Sequence, residues 1–355
     1  MKRPSLNVKR ENVAVRAFGS AFTVFLLLMV SGCGRNRPPA PLPVHLHRYE
    51  CALMALPPDS VASALPALAA AYPPYLAGAD LSDTLNVLQL RLFVQDPWVR
   101  ETYAAVEAFY GDGGHLEAEL GRMFARARVL FPDWQPPKVY TYISGLDYPR
   151  RVVYADSVLS LGLDLYLPDR AAAYREAGFP AYIARRMGPA ALPVEVAQAV
   201  AVARLPSRAA ATSDGLSEGL EPASAQGLTA MGTLLDEIVY QGKILCIVDR
   251  LLPETDERQK LFYDEAQWQW CKANEAALWH HWMKERLLYE TDLNRTKHYI
   301  NDGPGNLAFE DAPPRLVQYI GWRIVSRYLQ RVPADDPELW TRPAQDVLRI
   351  SGYKP

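Results

Sequence analysis

Cysteine is scarce in this chain: four stand in 355 residues, and none in a C-x-x-C spacing. That excludes a thioredoxin-type redox motif and a thiolate zinc cluster. Histidine is nearly as rare, with six in all, and H-E-x-x-H does not occur. There is no glycine-rich phosphate loop and no Ser-His-Asp signature. Only one long uncharged apolar run is present, Phe18–Val30, and at about a dozen residues it is short for a membrane span, which takes ~20. A basic excess is lacking too. Residues 1–32 carry five Lys and Arg and one acid, Glu11, so the chain beyond them has 33 Lys and Arg against 39 Asp and Glu, a net charge of −6. Nothing in that balance drives binding to nucleic-acid phosphates.

What is present begins at the front end. Lys2, Arg3, Lys9, Arg10 and Arg16 precede the apolar run, and Val30-Ser31-Gly32-Cys33 closes it. A basic segment, an apolar core, two small residues and a cysteine, in that order, form an export signal with a lipobox. Residues 1–32 are therefore expected to be a signal peptide and Cys33 the lipidated N-terminus. A proline-rich tether follows over residues 33–45 (NRPPAPLP at 36–43), stiff and extended. Residues 46–355 are expected to form one domain. Cys51, Cys246 and Cys271 then remain; Cys246–Cys271 is the one candidate disulfide, and three buried free thiols are the expected arrangement.

The first third has helical periodicity. Helices are expected over Val61–Ala71 with Asp59-Ser60 as cap, from Asp83 with Leu85, Leu88 and Leu92 on one stripe, from Pro97 through Phe109, and from Leu116 to Ala127. The period changes at 138–146 (KVYTYISGL) and 151–167, which alternate and favour Val, Tyr and Ile; these are expected strands of one small sheet, with a bend near Ser160-Leu161-Gly162. Residues 206–226 are small, polar and aperiodic, an exposed loop. Helices are expected again over 193–204, 227–250, 264–289, 314–331 and 343–350. The fold class is α+β, mainly α-helical.

One helix carries a chemical question. In residues 233–243 (TLLDEIVYQGK) the frame of H-E-x-x-H is kept as Asp236-Glu237-Ile238-Val239-Tyr240. Asp236, Tyr240 and Lys243 share a stripe opposite the apolar one, at the i, i+4 spacing that lets two imidazoles hold one zinc ion beside a glutamate base. Here both imidazoles are absent. A phenol with a pKa of about 10 is a poor ligand at neutral pH. Glu275, in WCKANEAALWHHW, would stand in for the third ligand, and two carboxylates with a phenol suit calcium or magnesium better than zinc. Three readings stand open: a remnant cleft without metal, a solvated face on which Lys243 screens Asp236, or a metal site with altered ligands. His280 and His281 point about 100° apart on a helix and cannot share an ion through it. Asp302 and Asp311, near Gly303-Pro304-Gly305, look like ordinary loop chemistry.

The ordered segments HRYE (47–50), VYTYISGLDYPRRVVYADSVLSLGLDLYL (139–167), DEIVYQGKILCIVDRLLPETD (236–256), WQWCKANEAALWHHWMKERLLYETD (268–292), PRLVQYIGWRIVSRYL (314–329) and SGYKP (351–355) resemble the gliding-motility lipoprotein GldB family. The resemblance implies a lipid-anchored protein of the outer membrane, facing the periplasm, that supports gliding or the type IX secretion on which gliding depends. It also implies zincin-like helices packed on one small β-sheet, with the Asp-Glu-x-x-Tyr helix in the metal-binding position. The cleft would then comprise Asp236, Glu237, Tyr240, Lys243 and Glu275, and strands within 139–167 would present Tyr142, Ser144 and Asp147 towards it. On this reading the protein takes no cofactor and no metal, does not bind nucleic acid, and braces or grips protein partners of the motility machinery. The alternative is an active peptidase on peptides or cell-wall stems, with Glu237 as base.

Overall fold

The computed structural model describes residues 38–76, 78, 80, 83–155, 157–206, 232–306, 308–333 and 336–355. The expected signal peptide, Cys33 and the polar loop beyond residue 206 lie outside the described residues. Residues 41–355 form one unit, separate from residues 1–40.

Among the described residues there are ten helices of eight residues or more. They are α1 (Val61–Ala71), α2 (Thr84–Gln95), α3 (Pro97–Tyr110), α4 (Gly114–Leu130), α5 (Ala191–Arg204), α6 (Leu234–Leu251), α7 (Glu265–Lys284), α8 (Leu293–Ile300), α9 (Leu316–Leu329) and α10 (Ala344–Ser351). The expected helices are thus found, with ends moved by a few residues, except that residues 227–231 of the helix expected over 227–250 lie outside the described residues. Residues 285–289 turn away from α7 through the left-handed Arg286, and α8 falls in a stretch without an expected helix. Asp83 and Asp96 cap α2 and α3 by accepting backbone N–H groups at Leu85 and Val99. The expected cap of α1 does not form: Ser60 makes no side-chain capping bond, and Asp59 pairs with Arg91 instead.

Four strands make one mixed sheet: β1 (Leu46–Arg48), β2 (Lys138–Tyr142), β3 (Val152–Ala155) and β4 (Val158–Gly162), in the order β1-β2-β4-β3. β1 and β2 run parallel, as do β2 and β4; β3 and β4 form an antiparallel hairpin. The hairpin turns at Ser157, which takes a positive φ of 66°, and not at Ser160-Leu161-Gly162, which lies within β4. The registers give the sheet two unlike faces. Leu46, Val139 and Leu159 align on an aliphatic face, and His47, Tyr140 and Ser160 on the other. Tyr49, Tyr72 and Tyr75 gather near that second face, with Tyr49 and Tyr75 stacked and Tyr75 edge-on to Tyr140.

Among the described residues three apolar cores follow. The aliphatic sheet face packs with α4, α5 and the Ile244, Ile247, Val248 and Leu251 side of α6. The Leu234, Leu235, Ile238 and Leu245 side of α6 packs with α7, α9 and α10. Tyr49, Leu53 and Met54 pack with Val61, Leu68, Val94 and Val99 in a third. Helix α6 is therefore a spine with a core on either side, which explains why its apolar residues exceed one stripe. α2 is the reverse case: its apolar stripe, Leu85, Leu88 and Leu92, is 65 %, 47 % and 58 % exposed.

The end of the expected tether is not free. Leu42 N donates to Gly121 O on α4 at 3.0 Å. A Cβ at Gly121 would lie 2.5 Å from Leu42 O, so glycine is what lets the strap lie against the helix.

Candidate functional site

Helix α6 starts at Thr233, whose hydroxyl accepts from Asp236 N, while Asp236 Oδ2 accepts from Thr233 N and Oγ at 2.8 Å each. Asp236 is thereby the returning half of a capping box. Lys243, buried one face further along, donates from Nζ to Arg342 O (2.8 Å) and Trp340 O (3.3 Å), fixing the entry to α10. Burial, followed by the Arg342 charge, brings its pKa down to about 8, against the opposing pull of Asp236. Tyr240 packs at the edge of the first core. On α7, Glu275 accepts from Tyr319 Oη (2.9 Å), Tyr353 Oη (2.8 Å) and Arg323 Nε (3.1 Å), clamping the C-terminal SGYKP segment to α7 and α9. Asp236, Lys243 and Glu275 therefore each engage separate, fold-internal partners. Among the described residues, no group of three or more His, Cys, Asp or Glu is placed to hold a metal ion.

The residues expected along the strand edge also bond locally. Ser144 donates to Asp164, Tyr142 donates to Arg150 O, and Asp147 pairs with Arg150.

Glu237 differs from the others. It is 4 % exposed, and its carboxylate accepts from Gln241 Nε2 at 2.9 Å. Gln241 Oε1 accepts from Gln318 Nε2 (3.1 Å), and Gln318 Oε1 accepts from Arg315 Nη1 (3.2 Å). Arg315 also donates to Leu261 O (2.8 Å) and pairs through Nε with Asp302 (3.3 Å). Asp302 pairs in turn with Arg186, which lies 3.8 Å from Glu195. Glu195 holds Arg151 Nε at 2.6 Å and accepts the Tyr166 hydroxyl. One unbroken polar path thus runs from the Asp-Glu-x-x-Tyr helix, across α9, to a buried charge cluster beside β3 and α5.

The electrostatics of that cluster follow from its composition. Arg151, Arg186 and Arg315 face two carboxylates, Glu195 and Asp302, so a net positive charge is buried. Burial and the neighbouring Arg186 hold the Arg315 guanidinium below its ordinary value. Burial is the largest influence on Arg151 and acts against it as well, but Glu195, Tyr148 and Tyr166 together outweigh it and the net shift is upward. Phe262 lies under Arg186, its ring centre 4.3 Å from the guanidinium carbon, and Arg151 lies over Tyr148 at 3.9 Å. Arg186 Nε, Glu195 Oε1 and the Tyr148 hydroxyl are buried without a hydrogen-bond partner.

Sequence reasoning singled out Glu237 as a cleft residue, which the structure buries against Gln241, and missed this cluster. Asp302 is not ordinary loop chemistry: it bridges Arg186 and the buried Arg315. One signal was available, since Glu195 sits in ALPVEVAQAVAVA, where a charge on an otherwise apolar helix needs a counterion.

A family model described as Gliding motility protein GldB matches residues 36–218 and 222–355, most of the chain, and the chain belongs to that family. No curated protein and no solved structure matches it.

Proposed function

We propose that this member of the GldB gliding-motility family is a non-catalytic accessory lipoprotein, anchored through Cys33, facing the periplasm from the outer membrane and supporting gliding through type IX secretion. Family membership supports the role in gliding. The lipobox and the tether support the anchor, and no described helix is long and apolar enough to cross a membrane. The observation that carries the non-catalytic reading is the use of the candidate site side chains. Asp236 caps its own helix, Lys243 holds the α10 entry and Glu275 clamps the C-terminus. The Asp-Glu-x-x-Tyr helix, read as a degenerate zincin element, then acts as a brace, and Glu237 is the end of its internal polar path. Protein partners of the motility machinery are contacted by the surface that this brace supports.

Complementation of gliding tests both halves. Cys33→Ser removes the acylation site and is expected to abolish membrane retention and gliding together. Glu237→Gln keeps an oxygen that can accept from Gln241, so gliding is retained on the bracing reading. Loss of gliding in Glu237→Gln, with the protein folded and correctly located, would favour the peptidase reading with Glu237 as base.

A further inference from the structure

We infer that the outward face of α2 is a membrane-contacting surface that seats the domain on the bilayer to which Cys33 anchors it; the inference rests on that anchor. Leu85, Leu88 and Leu92 stand at i, i+3 and i+7, within a narrow arc of one helix face, and all three are exposed. Their exposed neighbours Thr84, Asn86 and Gln89 are uncharged. Arg91, the helix's single charged residue, is drawn into an ion pair with Asp59 at 2.7 Å. An exposed apolar stripe of this kind marks a contact surface, and its leucines suit the headgroup–acyl boundary, with the exposed Arg91–Asp59 pair at its flank left in water. Trp98, 40 % exposed just beyond α2, adds a side chain favoured at membrane–water interfaces.

The chain outside the described domain selects lipid over other occupants. Eight Cα–Cα steps separate Cys33 from Pro41, a reach of at most about 30 Å when extended. The strap is then pinned at Gly121 by the Leu42 hydrogen bond. Val94, Leu90 and Phe93 on the inner side of α2 belong to the same apolar core as Tyr49, Leu53 and Met54, which follow the strap in sequence. An acylated Cys33 therefore keeps the bilayer permanently within range. Contact by the stripe is effectively intramolecular, so three leucines are enough to orient a domain that they could not hold alone.

The test uses the full-length lipidated protein in phosphatidylethanolamine–phosphatidylglycerol vesicles, with a nitroxide at Leu88→Cys and, as reference, at Met283→Cys on α7, also exposed. The label at 88 is expected to become accessible to oxygen and shielded from an aqueous nickel chelate, and the label at 283 to stay aqueous. A label at 88 that remains as aqueous as that at 283 overturns the proposal. So does spin–spin broadening at 88, which would make a second copy the occupant. The mass of the N-terminal peptide reports acylation separately. An unacylated Cys33 overturns the anchor and this inference together, whereas an acylated protein with an aqueous label at 88 overturns the stripe alone.

Discussion

Gly242 on α6 and Gly321 on α9 meet where the two helices cross with their backbones in contact. A Cβ at Gly321 would lie 2.9 Å from Gly242 N and nearer still to Ile238 O, and one at Gly242 would lie 2.8 Å from Val325 Cγ2. No side-chain rotation relieves a clash with a main-chain oxygen, so the helices would have to separate. The same crossing keeps Gln241 and Gln318 within hydrogen-bond reach, and therefore keeps the polar path from Glu237 intact.

Gly321→Ala is accordingly expected to destabilise the protein by about 3 kcal/mol or more, at the upper end of overpacking costs. Urea unfolding of the variant checks this. Gly188→Ala, where a Cβ meets nothing within 4 Å and φ is not positive, is the control and is expected to change little.

The buried charges give a second prediction. Glu195→Ala leaves Arg151 without the carboxylate that holds it at 2.6 Å, and Arg186 without its second acid. An orphaned buried charge costs about 3–5 kcal/mol. Combining Glu195→Ala with Arg151→Met removes both charges and is expected to recover part of that loss. A double-mutant cycle measured by chemical denaturation reads the coupling. Additive losses would mean that the pair contributes no specific interaction.

Local pattern carried much of this fold and little of its charge network. The alternation in KVYTY and VLSLG marks strands because each residue's face is set by its immediate neighbours. β1 has only Leu46–Arg48, and its strand character comes from pairing with Val139–Thr141, some ninety residues away. The leucine stripe of α2 was legible, but its burial was not, because periodicity marks a face without saying what covers it. Asp236 and Tyr240 were legible as an i, i+4 pair. That Asp236 turns back to Thr233 depends on where the helix begins, and a motif frame does not report that. The union of Glu195, Asp302 and Arg315 is tertiary, joining α5, the loop after α8 and the start of α9.

The thiols give a third prediction. All three described cysteines are free, with Cys246 and Cys271 buried and Cys51 partly so. Burial pushes each thiol up to about 12, assisted at Cys51 by Glu50 and at Cys246 by Asp249. Thiolate is the reactive form, so the folded protein is expected to take up no iodoacetamide at these three positions at pH 8. Labelling of all three after denaturation without reductant is expected, because no disulfide joins Cys246 to Cys271. Mass spectrometry of the intact chain distinguishes the outcomes.

Lys243 makes stability depend on pH with a definite sign. In the unfolded chain its pKa is the ordinary 10.5, and in the fold it is about 8. Between those values the unfolded state binds the extra proton, so stability contributed at this site rises as pH rises from about 8 to about 10.5. The full span of the shift corresponds to about 3 kcal/mol. A neutral amine still has two N–H bonds, enough for both Trp340 O and Arg342 O, so deprotonation need not break either contact. Lys243→Met removes the titration and leaves those carbonyls without their donor. Tyrosines and cysteines also ionise in this range, but they are common to both proteins and cancel in the difference. The stability gap between wild type and Lys243→Met, measured by urea unfolding at pH 7.5, 9 and 10.5, is therefore expected to widen in favour of wild type with rising pH. A gap that is flat or narrows would show that Lys243 keeps its proton in the fold, with Asp236 outweighing burial and the Arg342 charge.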